Sequence, residues 1–339
     1  MNPLKFSYFE RELQFHFEAG TSRGVLKSKK SYFFAINYNK KQFVGEAGPL
    51  RGLSPEFQED LFESFQASIN HQLSRSIPQD LTELRKQLQQ HPFQEASFQM
   101  AYEMAFRAYF NREGMVYFDN AYTRGQKKLP VNGLIWMGTS AFMLQQIEEK
   151  LAEGYTCLKL KIGAIDFQQE LDILASIRKR YTSAEITLRV DANGAFSIQE
   201  APQKLAQLAK FDLHSIEQPI RAGQWEAMEK LCATSPIPIA LDEELIGIRN
   251  RAEKINLLES IRPPFIILKP SLLGGFFETQ EWIELAEERQ IAWWITSALE
   301  SNYGLEAICQ FTANYPVTLP QGLGTGKLFI NNFHPLLRH

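Results

Sequence analysis

Six polar residues recur every 25 to 32 positions in the second half of this 339-residue chain: Lys159, Asp191, Glu217, Asp242, Lys269 and Ser297. Each lies in or at the end of a short apolar run: CLKLKIG, ITLRVDAN, LHSIEQPI, PIALDEE, FIILKPS and IAWWITS. Successive residues of a strand face opposite sides. Leu158, Leu160 and Ile162 therefore share one face and Lys159 and Lys161 the other, and Leu188 and Val190 oppose Arg189 and Asp191. The same parity sets Asp242 against Leu241 and Lys269 against Leu268. Three carboxylates supply hard oxygen donors and leave room for water and substrate oxygens, which suits Mg²⁺ better than zinc, with Mn²⁺ as a substitute. Lysines flanking the same point fit proton abstraction next to a carboxylate: the metal holds the developing enediolate and a neutral lysine takes the proton. Nearby positive charge would lower that lysine's pKa toward neutrality.

Positioning such a set requires strands that end at one mouth. With GLIWMG before them and VTLPQGLG after them, the six runs make eight strands with seven amphipathic stretches between, such as FMLQQIEEKLAEG and DFQQELDILASIRKRY. This pattern predicts an α/β fold, a (β/α)7β TIM-like barrel over residues 126–323, with the charged residues at its C-terminal, active-site face. Lys161 and Lys269, four strands apart, would then flank a substrate from opposite sides. The competing reading is a set of buried ion pairs that support a packed barrel, which costs several kcal/mol for each isolated charge. Residues 1–125 read as an α+β capping domain. Segments 4–17 and 32–44 are expected strands on either side of a basic loop, TSRGVLKSKKS. Helical spacing follows over 55–73, 80–90 and 93–112, the first opened by Ser54-Pro55. The tail 324–339 is expected to pack back on the cap.

The ordered motifs K-x-K, R-V-D-A-N, I-E-Q-P, L-D-E, L-K-P and S-A-L-E-S-N resemble the enolase superfamily, and the paired lysines resemble its muconate-lactonizing subgroup. Within it, TSALESNYG and the glycine-rich region after it look most like the branch that forms o-succinylbenzoate. The resemblance covers nearly the whole chain and implies a Mg²⁺-dependent dehydration of a small carboxylate substrate in menaquinone synthesis. Carried over, Asp191, Glu217 and Asp242 match the metal ligands, Lys161 the acid/base catalyst and Lys269 the cation facing it. Lys159 lies one layer deeper, where tuning Lys161 and a structural ion pair are equal readings, and Arg189 has the same standing. Asn193, Glu243, Ser297 and Glu300 are supporting or substrate-side candidates by position. Gly322 and Gly324 would let backbone N–H groups approach a substrate carboxylate. The alternative is N-succinylamino acid racemisation with the same lysines and metal. No histidine stands between His214 and His334 to serve as a histidine base.

Other features exclude more than they suggest. A net charge of −3, with 44% hydrophobic and 22% charged residues, gives no electrostatic case for nucleic acid. No apolar run approaches a membrane span. Cys157, Cys232 and Cys309 form no C-x-x-C pair, so a reducing cytoplasm is expected. GLGTGK is not a phosphate loop, because Gln321 and Leu328 stand where glycine and Ser/Thr are needed. His214 has parity opposite to Glu217 and should face the helices as a core residue. The basic cluster Arg23, Lys27, Lys29 and Lys30 reads as a solvated loop, or as a lure for a dianionic substrate. The sequence is silent on oligomeric state.

Overall fold

In the computed structural model, which describes residues 3–21 and 24–333, three antiparallel strands come first: β1 (Lys5–Thr21), β2 (Gly24–Tyr38) and β3 (Lys41–Ala47), neighbours in chain order. Aromatic and branched residues fill one face of this sheet against the helix Ala96–Asn111. Phe34 stacks on Tyr102 with centroids 6.0 Å apart, and Phe65 of the helix Phe62–Arg75 meets Phe98 edge-on at 5.0 Å. Sheet and helix approach so closely at Gly45 that a Cβ there would sit 1.8 Å from the carbonyl oxygen of Ala101.

Three expectations for this region need correction. The basic stretch after Gly24 is strand, not loop, pairing Leu13 with Lys29 and Glu12 with Lys30. Cross-strand carboxylates stabilise it: Glu18 lies 2.8 Å from Lys27 and Glu10 lies 3.8 Å from Lys30, while Lys29 is buried. Arg23 lies outside the described residues. The run 32–44 is broken by a two-residue turn at Asn39 and Lys40, both left-handed with φ of 49° and 63°. The helix after Ser54-Pro55 begins only at Phe62, because the Ser54 hydroxyl accepts from Leu50 N–H within a turn. Asp80 does cap the next helix, Leu81–Gln90, accepting from Glu83 N–H.

The second half forms a curled parallel sheet of seven strands in chain order. They are β4 (Gly133–Ile135), β5 (Cys157–Lys161), β6 (Thr187–Asp191), β7 (Ser215–Glu217), β8 (Ile239–Leu241), β9 (Phe265–Leu268) and β10 (Ala292–Ile295). The helices Ser140–Ala152, Phe167–Arg178, Ala201–Leu208, Trp225–Thr234, Arg251–Ile261 and Phe276–Glu288 connect them, and Asn302–Thr312 follows β10. Every connection is β–α–β, so the strands run parallel and their C-terminal ends share one face.

The expected eighth strand, VTLPQGLG, is reduced to two bridging residues. Gln321 pairs with Val131 ahead of β4, and Gly322 with Thr296 after β10. Pro316 and Pro320 bring no N–H to a ladder, and the Pro320 carbonyl accepts from Arg189 Nη1 at 2.7 Å instead of from a strand. Beyond it the chain crosses to the cap: Phe329 bridges Phe15, Ile330 N–H donates to Gln14 O, and Arg11 lies 3.8 Å over the Phe333 ring. Residues 334–339 lie outside the described residues. Among those described, no helix is long and apolar enough to cross a membrane.

The Asn39-Lys40 turn yields a test. Such turns favour glycine at the second position, where a side chain costs about 1 kcal/mol. Lys40→Gly is therefore expected to stabilise the protein by about 0.5–1 kcal/mol, read as a higher urea midpoint at unchanged slope; a lower midpoint contradicts the turn geometry.

Candidate active site

The strand register lines up the charged residues. Lys161 stands opposite Asp191, and Asp191 opposite Glu217, across β5, β6 and β7. Lys161 Nζ donates to Asp191 Oδ2 and to Asn193 Oδ1, both at 2.8 Å. Lys159 Nζ bonds to Glu217 Oε2 and lies 3.1 Å from Asp191 Oδ2. Lys269 Nζ bonds to Asp242 Oδ2 and lies 3.7 Å from Glu217 Oε1. All six side chains are buried.

Burial and charge then act against each other. Burial pulls the Lys161 ammonium below its ordinary value in spite of Asp191. Burial also lowers Lys159, but Asp191 and Glu217 outweigh it and hold that group up. In the same way Asp242 and Glu217 outweigh burial at Lys269 and raise it. Burial works to raise Asp191, yet the three lysines hold it well below the usual carboxylate range. Glu217 is pushed up, by burial and then by Asp191.

The carboxylates share one sector of the mouth, but among the described residues no three potential ligands are gathered around a single point. Each is turned toward an ammonium, because a buried carboxylate must be neutralised and the lysines lie closest. The donor set fits a hard divalent cation: three carboxylates end adjacent strands, and Glu217 Oε1 is buried without a hydrogen-bond partner among the described residues.

Above the lysines is a cavity of about 330 Å³. Lys159, Lys161, Lys269, Ser297, Gly322 and Gly324 line it from the sheet side, and Leu26, Leu50, Arg51 and Leu53 from the cap. Its charged lining is entirely cationic among the described residues. Other candidates stand behind the wall. Asn193 donates through Nδ2 to Glu243 Oε1 at 3.0 Å while its carbonyl holds Lys161. Glu300 does not line the cavity; it accepts from Ser297 Oγ, Ala298 N–H and Ser271 Oγ, and so shapes the turn that does. Gly322 has no room for a side chain, since a Cβ would meet Thr296 Oγ1 at 2.4 Å.

Arg189 and His214 differ from expectation. Arg189 forms no ion pair among the described residues and does not line the cavity; it stacks 4.1 Å over Trp294 beneath the lysines. His214 does not face the helices. It precedes β7, so strand parity does not govern it, and its ring lies 5.0 Å from Phe265 and 6.1 Å from Trp294. Burial, with Arg189 nearby, pushes its imidazole down to about 4, leaving it neutral at pH 7.

Sequence reasoning missed Gln218. Its Oε1 accepts from the N–H groups of Asp242 and Glu244, and its Nε2 donates to Ile220 O and Glu244 Oε2. The residue is left-handed, with φ 39°, and splints the end of β7 to the end of β8. A polar residue directly after the ligand-like Glu217 and before Pro219 was the available signal. Lys29 was misread as a solvated residue, because its burial depends on the barrel.

Comparison with known proteins agrees with this geometry. Residues 143–330 match the family described as enolase C-terminal domain-like. The chain is 47% identical to o-succinylbenzoate synthase of Desulfotalea psychrophila, over 98% of this chain and 96% of that one. The crystal structure of MenC from Desulfotalea psychrophila superposes with a TM-score of 0.81 at 43% identity, covering 98% of this chain and 96% of that one. An N-succinylamino acid racemase from an Amycolatopsis species is 29% identical over 54% of this chain and 50% of its own.

Removing the Gln218 splint tests the site's construction. Gln218→Leu leaves the buried N–H groups of Asp242 and Glu244 without this acceptor, each costing about 1–3 kcal/mol. A loss of roughly 2–4 kcal/mol in urea unfolding is expected, on the same per-group cost; an unchanged midpoint would show that the splint is dispensable.

Proposed function

Because the chain belongs to the enolase superfamily, in the family of o-succinylbenzoate synthases and hence of carbon–oxygen lyases, we propose that it dehydrates 2-succinyl-6-hydroxy-2,4-cyclohexadiene-1-carboxylate to o-succinylbenzoate in menaquinone synthesis. The observation that carries this reading is the cavity: about 330 Å³, apolar on much of its wall, and charged only by Arg51, Lys159, Lys161 and Lys269 among the described residues. A ring bearing two carboxylates suits it in size and sign. The same reading takes residues 1–125 as a cap, 126–323 as a (β/α)7β catalytic barrel and 324–339 as a tail on the cap, working in the cytoplasm.

Asp191, Glu217 and Asp242 would hold one Mg²⁺, with Mn²⁺ as substitute. When bound, the ion would draw charge from the ring carboxylate and acidify the adjacent C–H. Lys161, whose ammonium burial destabilises, serves as the neutral base. It takes the proton from the carbon bearing the carboxylate, and the freed electron pair becomes the new ring double bond as the neighbouring C–O bond breaks. The same lysine returns that proton to the departing hydroxide, so water leaves and the ring is aromatic. Lys269, held by Asp242, remains a fixed cation on the other side. Asn193 aims Lys161 through its 2.8 Å contact.

The racemase alternative shares these lysines but must also grip an acylated nitrogen. At the Gly322–Gly324 end the cavity offers glycines and no carboxylate among the described residues, which favours an oxygen-rich arm over an ammonium group. Incubation of the Mg²⁺-loaded protein in D₂O with each substrate decides between them. Fast appearance of aromatic absorbance, with slow or no α-deuterium in N-succinyl amino acids, is expected; rapid α-exchange without aromatic product assigns the protein to the isomerases.

The two lysines are separable. Lys161→Ala is expected to lower kcat by at least ~10²–10⁴-fold, the usual weight of a general base, and Lys269→Ala to lower it less. Near-normal dehydration by Lys161→Ala with loss in Lys269→Ala reverses the roles.

A further inference from the structure

The face of the cap sheet that meets the barrel contains a charged residue where apolar packing dominates. Leu13, Phe15, Leu50, Trp136, Leu272, Ala298, Leu299 and Phe329 form one buried cluster along this seam. Lys29, opposite Leu13 in the β1–β2 register, lies within the seam at 5% exposure. Its Nζ donates to the main-chain oxygens of Leu299 at 2.8 Å and Ala298 at 3.3 Å. Those two residues line the cavity, as do Gly24, Val25 and Leu26, which precede Lys29 on the same strand.

The turn Lys29 grips is under strain. Leu299 is left-handed, with φ 63°, a costly conformation for a leucine. It is held on three sides. Glu300 accepts from Ala298 N–H and Ser297 Oγ within the turn. Glu46 on β3 accepts from the N–H groups of Ser301 and Gly304, at 2.8 and 2.9 Å. Lys29 takes the carbonyls. Burial pulls its ammonium down, and the charges of Glu300 and Glu46 push back. Gly48 leaves space for the group, since a Cβ there would lie 2.5 Å from Lys29 Nζ but 3.3 Å from its Cε.

We infer that Lys29 is a positioning residue for substrate binding: its ammonium clamps the cavity-lining edge of the cap onto the cavity-lining turn 297–301, and so sets the pocket wall that receives the substrate's flexible arm. The lysines and carboxylates of the reaction are anchored on strands and their ends, independently of this turn, so the clamp governs binding more than chemistry. The inference rests on the cavity being the substrate site proposed above.

The test uses four Mg²⁺-loaded proteins: wild type, Lys29→Met, Gly48→Ala and the double variant. Methionine keeps the length of the chain to Cε and removes only the ammonium. Steady-state dehydration and amide hydrogen exchange over residues 297–304 are measured on each. Lys29→Met should raise KM about tenfold, leave kcat within about threefold, and speed exchange in that segment. Gly48→Ala should reproduce the effect by pushing the ammonium off the carbonyls, and should add nothing in the Lys29→Met background. Unchanged KM, a fall in kcat at constant KM, or an equal effect of Gly48→Ala in both backgrounds overturns the inference. Absence of product from the wild type counts against the substrate assignment alone. The exchange data then decide the clamp, and unaltered exchange in Lys29→Met refutes it.

Discussion

Charge neutralisation inside the mouth of the sheet is the constraint on which the rest of the structure depends. Lys159, Lys161 and Lys269 are buried beside Asp191, Glu217 and Asp242, and none of the six could remain there charged without the others. Parallel strands in strict chain order bring the residues to one mouth, and the register of β5, β6 and β7 sets Lys161, Asp191 and Glu217 side by side. The surrounding polar residues serve that arrangement. Asn193 fixes Lys161, Gln218 fixes the backbone at Asp242, and Glu243 fixes Asn193.

The proposed dehydration and its racemase alternative would draw on the same lysines, so the lysines do not discriminate between them. The choice falls to the cavity wall. Part of that wall belongs to the turn after β10, part to Gly322 and Gly324, and part to the cap residues Leu26, Leu50 and Leu53. The shape of the proposed substrate cavity is therefore a property of the seam between two layers, where apolar packing and a few buried polar contacts decide it. Under the proposed reaction, that division leaves the rigid strands to the proton transfers and the loops and cap to recognition.

The barrel-side site was legible because strand parity is a local rule. Alternation of Leu158, Leu160 and Ile162 with Lys159 and Lys161 places the lysines on the inner face without knowledge of any partner, and the 25- to 32-residue recurrence places them at successive strand ends. Where the rule's premise failed, the reading failed with it. His214 lies before its strand and turned inward to Phe265, and the segment containing Pro316 and Pro320 contributes two bridges in place of a strand. The basic run after Gly24 is a strand because its backbone pairs along β1, a long-range pairing that spacing alone does not reveal.

By itself, then, the sequence determined which charged groups meet at the mouth of the sheet, their order along the chain and the face each occupies, since these follow from covalent order and the two-residue period of a strand. The tertiary structure decided which ammonium pairs with which carboxylate, what lies behind them and what closes the cavity. Arg189 on Trp294, Gln218 between β7 and β8, and Lys29 on the carbonyls of Ala298 and Leu299 all join residues brought together only by folding. Burial is a property of the packed molecule: the same lysine is a solvated surface group in an isolated hairpin and a clamp once the barrel covers it.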